Sequence, residues 1–168
     1  MTMPTSAFAA ADARLRRTAE RADVFDLSTV TLARLVHFAA KSLADEVNAA
    51  LKAEGLNYPS YAILVMLFGA ADFCMTPSEL AAATQEKPAN ITRLCDDLSR
   101  QGLLCRRADT TDRRRVQILL TEQGKARLNA VLPVVMTVIQ APFGRLTPDE
   151  RLTLGRLLRR LVDVPVSA

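Results

Sequence analysis

Between Thr76 and Gly124, helix start and stop signals follow one another in an order that leaves few folds open. Thr76-Pro77-Ser78-Glu79 is a capping box with proline at the first helical position. It opens a short helix to about Thr84, followed by a turn at Gln85-Glu86. A second helix covers roughly Lys87 to Gln101 and is closed by Gly102. Two short strands, Leu103 to Arg107 and Val116 to Leu120, flank a polar tip that reads Asp109-Thr110-Thr111-Asp112-Arg113-Arg114-Arg115. Thr121 then caps a long helix starting at Glu122.

Helix, turn, helix, basic hairpin, long helix is the order of parts in a winged helix-turn-helix. The second helix carries the argument from fold to chemistry. Ile91, Leu94, Cys95 and Leu98 form an anchoring face at helical spacing, and Asn90, Arg93, Asp97 and Arg100 lie opposite. Reading base edges in the major groove needs such a division, with short polar and Arg side chains near the helix start. Lys87, Asn90, Thr92 and Arg93 fill those positions. Taken alone, the helix also fits an ordinary amphipathic surface helix. The hairpin shifts the balance towards DNA. Asp112 can fix an arginine through a bidentate pair, and Arg113, Arg114 and Arg115 can reach phosphate or a narrow minor groove. Asp96 and Asp97 repel phosphate, so the C-terminal half of the helix points away from DNA or pairs with nearby arginines.

Charge placement agrees. Lys87 to Arg115 holds eight cations against four anions, an excess equal to the net charge of +4 of all 168 residues. A local basic patch attracts polyanions. With 49% hydrophobic residues, few aromatics and no Trp, the chain suits a mainly α protein with a small β-wing. The flanks are helical: Ala7 to Arg21, then a helix opened by Asp26 or Ser28 with the stripe Leu32, Leu35, Ala39, Leu43, Val47 and Leu51, ended by Gly55. Leu56 to Gly69 is a further apolar helix. Pro133 should bend or break the long helix, which extends to about Gln140. Thr147-Pro148-Asp149-Glu150 is a second capping box, opening a last helix with Leu152, Leu154, Leu157, Leu158 and Leu161. No signal segment is recognisable, and the longest apolar run, Tyr61 to Ala71, is about half of what a bilayer span requires. The expectation is a soluble, cytoplasmic protein that does not engage a membrane.

Residues 76–124 resemble the MarR family of bacterial repressors. The resemblance rests on the wing pattern Asp109, Asp112, Arg113, Arg114, followed by Leu120, Thr121 and Gly124, and on the helix Asn90 to Leu98, N-I-T-R-L-C-D-D-L. It covers roughly residues 30 to 135. Leu51-Lys52-Ala53-Glu54-Gly55-Leu56 and Pro77-Ser78-Glu79-Leu80 look most like the multidrug-efflux repressor branch. The resemblance implies one MarR-type domain over 1–168, with dimerisation helices at 1–55 and 122–168 and a DNA-binding lobe at 56–121. It also implies a homodimer in which N- and C-terminal helices interlock. Phe25, Leu27, Val131, Leu132, Val135, Phe143, Leu157 and Leu161 are compatible with that, or with helices that cover their own core.

The resemblance further implies release from operator DNA by a small aromatic effector between the two sets of elements. His37, Lys41, Tyr58, Tyr61 and Arg93 could supply cationic and phenolic contacts to such an anion. A lone histidine is more often structural. Cys74, Cys95 and Cys105 lack metal-ligand spacing, so no metal or cofactor is expected. Some family members sense oxidants through cysteine, but inert packing is the better reading here. An enzyme finds no support: there is no nucleophile triad at workable spacing and no glycine-rich phosphate loop. A basic hairpin docking on an acidic protein is the remaining alternative.

Overall fold

The computed structural model describes residues 5–108 and 116–162. The chain divides into two compact units, Met1–Asp45 and Glu46–Ala168. The first holds α1 (Thr5–Ala19) and most of α2 (Leu27–Leu51). Asp26 caps α2, accepting from the Ser28 and Thr29 amides at 2.9 and 3.3 Å. The Thr29 hydroxyl and amide hold its carboxyl below the usual range. The apolar stripe of α2 is largely exposed. Leu32 is 62% exposed and Leu35 43%, and only Val47 and Leu51 are buried.

In the second unit, Gly55 turns the chain in the left-handed region after a short 3-10 turn. The helices are α3 (Tyr58–Gly69), α4 (Pro77–Thr84), α5 (Pro88–Arg100), α6 (Glu122–Phe143) and α7 (Pro148–Leu161). Thr76 and Thr147 both form the capping boxes that the sequence announces. β2 (Leu104–Ala108) and β3 (Val116–Leu120) pair antiparallel with Cys105 opposite Leu119. A third strand, β1 (Cys74–Met75), adds to the other edge of β3, giving the order β1-β3-β2. The core lies between α3, α4, α5 and the sheet, where Ile63, Leu64, Leu67, Leu80, Ile91, Leu94, Leu98 and Ile118 are buried.

One expectation is narrowed and another corrected. Pro133 does not break α6, which runs unbroken through it. Val131 and Val135 on either side of it are buried, so packing holds the helix where the missing amide weakens it. Those two valines belong to the chain's own core rather than to an uncovered face. In addition, α6 is long and apolar enough by length and composition to cross a membrane, with a mean hydropathy of 1.3 over its best stretch. Its Leu128, Val131 and Val135 are buried, whereas Val134, Met136 and Phe143 are exposed.

The start of α6 is fixed by close contact. Thr121 caps it by accepting from the Gly124 amide at 3.0 Å. A Cβ on Gly124 would lie 2.2 Å from the Leu103 carbonyl oxygen and 2.6 Å from Leu120 Cδ1. Only glycine fits there. Gly124→Ala should therefore lower stability by about 2–3 kcal/mol, the usual scale for overpacking a tight site. Urea denaturation checks this, and an unchanged midpoint would contradict the tight junction.

Candidate nucleic-acid interface

The amphipathic division of α5 is realised. Ile91, Leu94, Cys95 and Leu98 are buried, while Thr92, Arg93 and Arg100 are exposed. Each apolar side chain contributes about 1.5–3 kcal/mol as an upper estimate, whereas an exposed i,i+4 ion pair contributes about 0.3–0.5 kcal/mol. Burial thus decides where α5 sits, and the ion pairs arrange only its outer side chains. The turn before it bends at Gln85, whose φ of 56° is a left-handed conformation unusual for a side chain of this type.

The outer face of α5 is a ladder of contacts. Asn90 Nδ2 donates to Glu86 at 2.6 Å. Arg93 donates to Asn90 Oδ1 at 2.9 Å and to Asp97 Oδ2 at 3.1 Å. Arg100 pairs with the other oxygen of the same Asp97. Thr92 donates to the Pro88 carbonyl at 3.2 Å. Lys87 is the N-cap residue of α5 rather than part of it, and is exposed. Asp96 reaches across to Arg106 on β2 at 2.5 Å, tying the wing base to the helix. Both aspartates therefore pair with arginines, as their position beside a basic patch suggested. The wing residues Asp112, Arg113, Arg114 and Arg115 lie outside the described residues.

Glu86 was not singled out from sequence. Its signal was the i,i+4 spacing to Asn90, which is common enough on helices to carry no weight alone.

The five residues considered for an effector are placed as follows. His37 and Lys41 are exposed on α2 in the first unit, and Lys41 lies 2.9 Å from Asp45. In the second unit, Tyr58 is exposed and Tyr61 is buried. Burial, and secondarily Tyr58, pushes the Tyr61 phenol up. Arg93 is engaged on the outer face of α5. A groove of about 530 Å³ in this unit is lined by Gln101, Gln123 and Arg127, not by the tyrosines.

Comparison with known proteins settles the family. The MarR family profile matches residues 54–115. Over 158 residues the chain is 30% identical to the transcriptional repressor MprA of Escherichia coli (strain K12), covering 94% of this chain and 90% of that one. The chain belongs to the MarR family. It is 39% identical over 111 residues to the transcriptional repressor YetL of Bacillus subtilis (strain 168), covering 64% of this chain and 66% of that protein. Among solved structures, a mutant MarR from E. coli complexed with operator DNA superposes with a TM-score of 0.73 at 28% identity, over 83% of this chain and 99% of that one. This MarR-family chain is accordingly a DNA-binding transcriptional regulator with a winged helix-turn-helix, and not an enzyme.

Cysteine chemistry at this MarR-type helix is decided by burial. Desolvation pushes the Cys95 thiol up to about 11, outweighing the nearby Arg106. It stays protonated at neutral pH and unreactive. Cys105 is exposed. Native-state treatment with iodoacetamide should label Cys105 and spare Cys95 by mass spectrometry. Equal labelling would mean that the α5 anchor face opens readily.

Proposed function

We propose that this protein is a repressor that binds a pseudo-palindromic operator as a homodimer in the cytoplasm and is released by a small aromatic or phenolic anion. The observation that carries the DNA reading is α5 itself: four buried apolar residues hold it, and Asn90, Thr92 and Arg93 line its outward N-terminal half. The repressors MprA and YetL support the direction of regulation, since the chain is similar to both. In this reading Lys87, Asn90, Thr92 and Arg93 contact the major groove. Arg113, Arg114 and Arg115 contact phosphate or minor groove, with Asp112 steadying the wing. Two such helices enter successive major grooves about 34 Å apart.

The dimer is carried by uncovered apolar surface. Leu152, Leu157, Leu161 and Val162 at the C-terminal end are 52–74% exposed, and Leu32 and Leu35 of α2 are exposed too. A single chain has no use for so many bare leucines. The reading assigns 1–55 and 122–168 to dimerisation and 56–121 to the DNA-binding lobe. Replacing Leu157 and Leu161 together by Asp should leave each chain folded, because neither is buried in it. Sedimentation should then show monomers and operator binding should be lost. A wild-type protein that is monomeric at micromolar concentration would contradict the dimer.

For DNA, selection from random duplexes should recover one inverted repeat. Arg93→Ala should lower discrimination against single-base changes in it by about ten- to a hundredfold, the scale of a lost bidentate base contact. Affinity that falls equally for all sequences would instead place Arg93 on phosphate.

The effector would act by linkage, binding the DNA-incompetent arrangement more tightly. His37 and Lys41, both exposed on α2, would hold its charge. Aromatic carboxylates should raise the thermal midpoint and release operator, and the His37→Ala, Lys41→Ala double variant should lose that response. Undiminished release from the double variant would exclude these contacts.

A further inference from the structure

Asp97 stands in the wrong place for a simple phosphate-attracting surface. It is an acid on the outward face of the helix proposed to enter the groove, with its side chain 32% exposed. It is also the joint of the ladder. One carboxylate oxygen takes Arg93 Nη1 at 3.1 Å and the other takes Arg100. Arg93 Nη2 is held from the opposite side by Asn90 Oδ1 at 2.9 Å. Asn90 is itself oriented by Glu86, whose carboxylate can only accept and so draws the amide nitrogen, turning the oxygen to Arg93.

Arg93 is 62% exposed, so packing does not fix its guanidinium. The ladder does, and it uses two of the five N–H donors of the guanidinium, leaving three for a partner. A long side chain held in place before its partner arrives loses less freedom on binding. Against that stands a cost, since a carboxylate facing a phosphate backbone weakens binding to every sequence alike.

We propose that Asp97 is a specificity-determining positioning residue: it aims Arg93 at a base edge and, by its charge, keeps the helix from holding non-cognate DNA. The proposal rests on the reading of α5 as the base-reading helix. The two roles have opposite signatures. Loss of the charge raises affinity for all duplexes. Loss of the anchor lowers affinity for the operator alone. Their sum is a protein that binds more DNA and discriminates less.

The test compares the wild type with Asp97→Ala and Asp97→Asn on the selected operator and on a scrambled duplex at one fixed salt concentration. Asp97→Ala should tighten scrambled-duplex binding a few-fold and lower the operator-to-scrambled ratio about tenfold, the scale of one base-pair mismatch. Asp97→Asn keeps an oxygen for Arg93 without the charge, so it should tighten scrambled binding similarly while retaining most of the ratio. In an Arg93→Ala background, Asp97→Ala should leave the ratio unchanged, because no side chain remains to be aimed. Far-ultraviolet circular dichroism and the thermal midpoint confirm that the variants are folded. If Ala and Asn both raise the two affinities equally, Asp97 acts by charge alone and the positioning role is overturned. If the wild type itself fails to discriminate operator from scrambled duplex, it is the base-reading assignment of α5 that fails.

Discussion

The structure hangs on one carbonyl. Leu103 follows α5 by two turn residues, and its oxygen accepts the Thr121 amide at 3.1 Å. The Thr121 hydroxyl lies 2.7 Å from the Gly102 oxygen and 3.0 Å from that of Leu103, donating into the same corner. Gly124 closes against it with no room for a side chain. At this point the end of α5, the base of the wing and the start of α6 become one object. A one-residue slip would turn each strand of the wing over. It would also rotate α6 and turn its Leu128 and Val131 out of the core in which they are buried.

From that corner the division of labour on α5 follows. Its inner face is held by burial, which is strong and undirected. Its outer face is organised by ion pairs, which are weak and directional. The same separation lets a regulator change its base contacts without refolding, because no residue of the Glu86-to-Arg100 ladder contributes to the core. Asp96 is the exception in purpose: its pair with Arg106 links α5 to β2 at the base of the wing. Arg127 performs a similar service lower down, donating to the Glu54 carbonyl at 2.7 Å and pairing with the Glu54 carboxylate at 3.0 Å.

What could be read from the sequence was the local chemistry. Thr76, Thr121 and Thr147 announce helix starts because a side-chain oxygen three residues before a free amide is a local matter. The buried set Ile91, Leu94, Cys95 and Leu98 follows from spacing alone. Less legible was anything decided at a distance. β1 is two residues long and has no periodicity; it exists because Cys74 and Met75 meet Leu119 and Ile118. Pro133 marks a weak point because the penalty of a helical proline is local, whereas the burial of Val131 and Val135, on either side of it in a continuous α6, is not. The stripe on α2 was visible as a stripe, but spacing cannot say whether its cover comes from the same chain. On α5 the sequence showed which residues share a face. It did not show that Asn90, Arg93 and Asp97 are bonded to one another.

The central claim is that α5 reads the major groove. Methylation interference tests it directly, because dimethyl sulfate marks guanine N7 in the major groove and adenine N3 in the minor groove. The account predicts that premethylated guanines block binding in two clusters about one helical turn apart, one for each recognition helix. Interference confined to adenine N3, or absent from guanine in both half-sites, would contradict it.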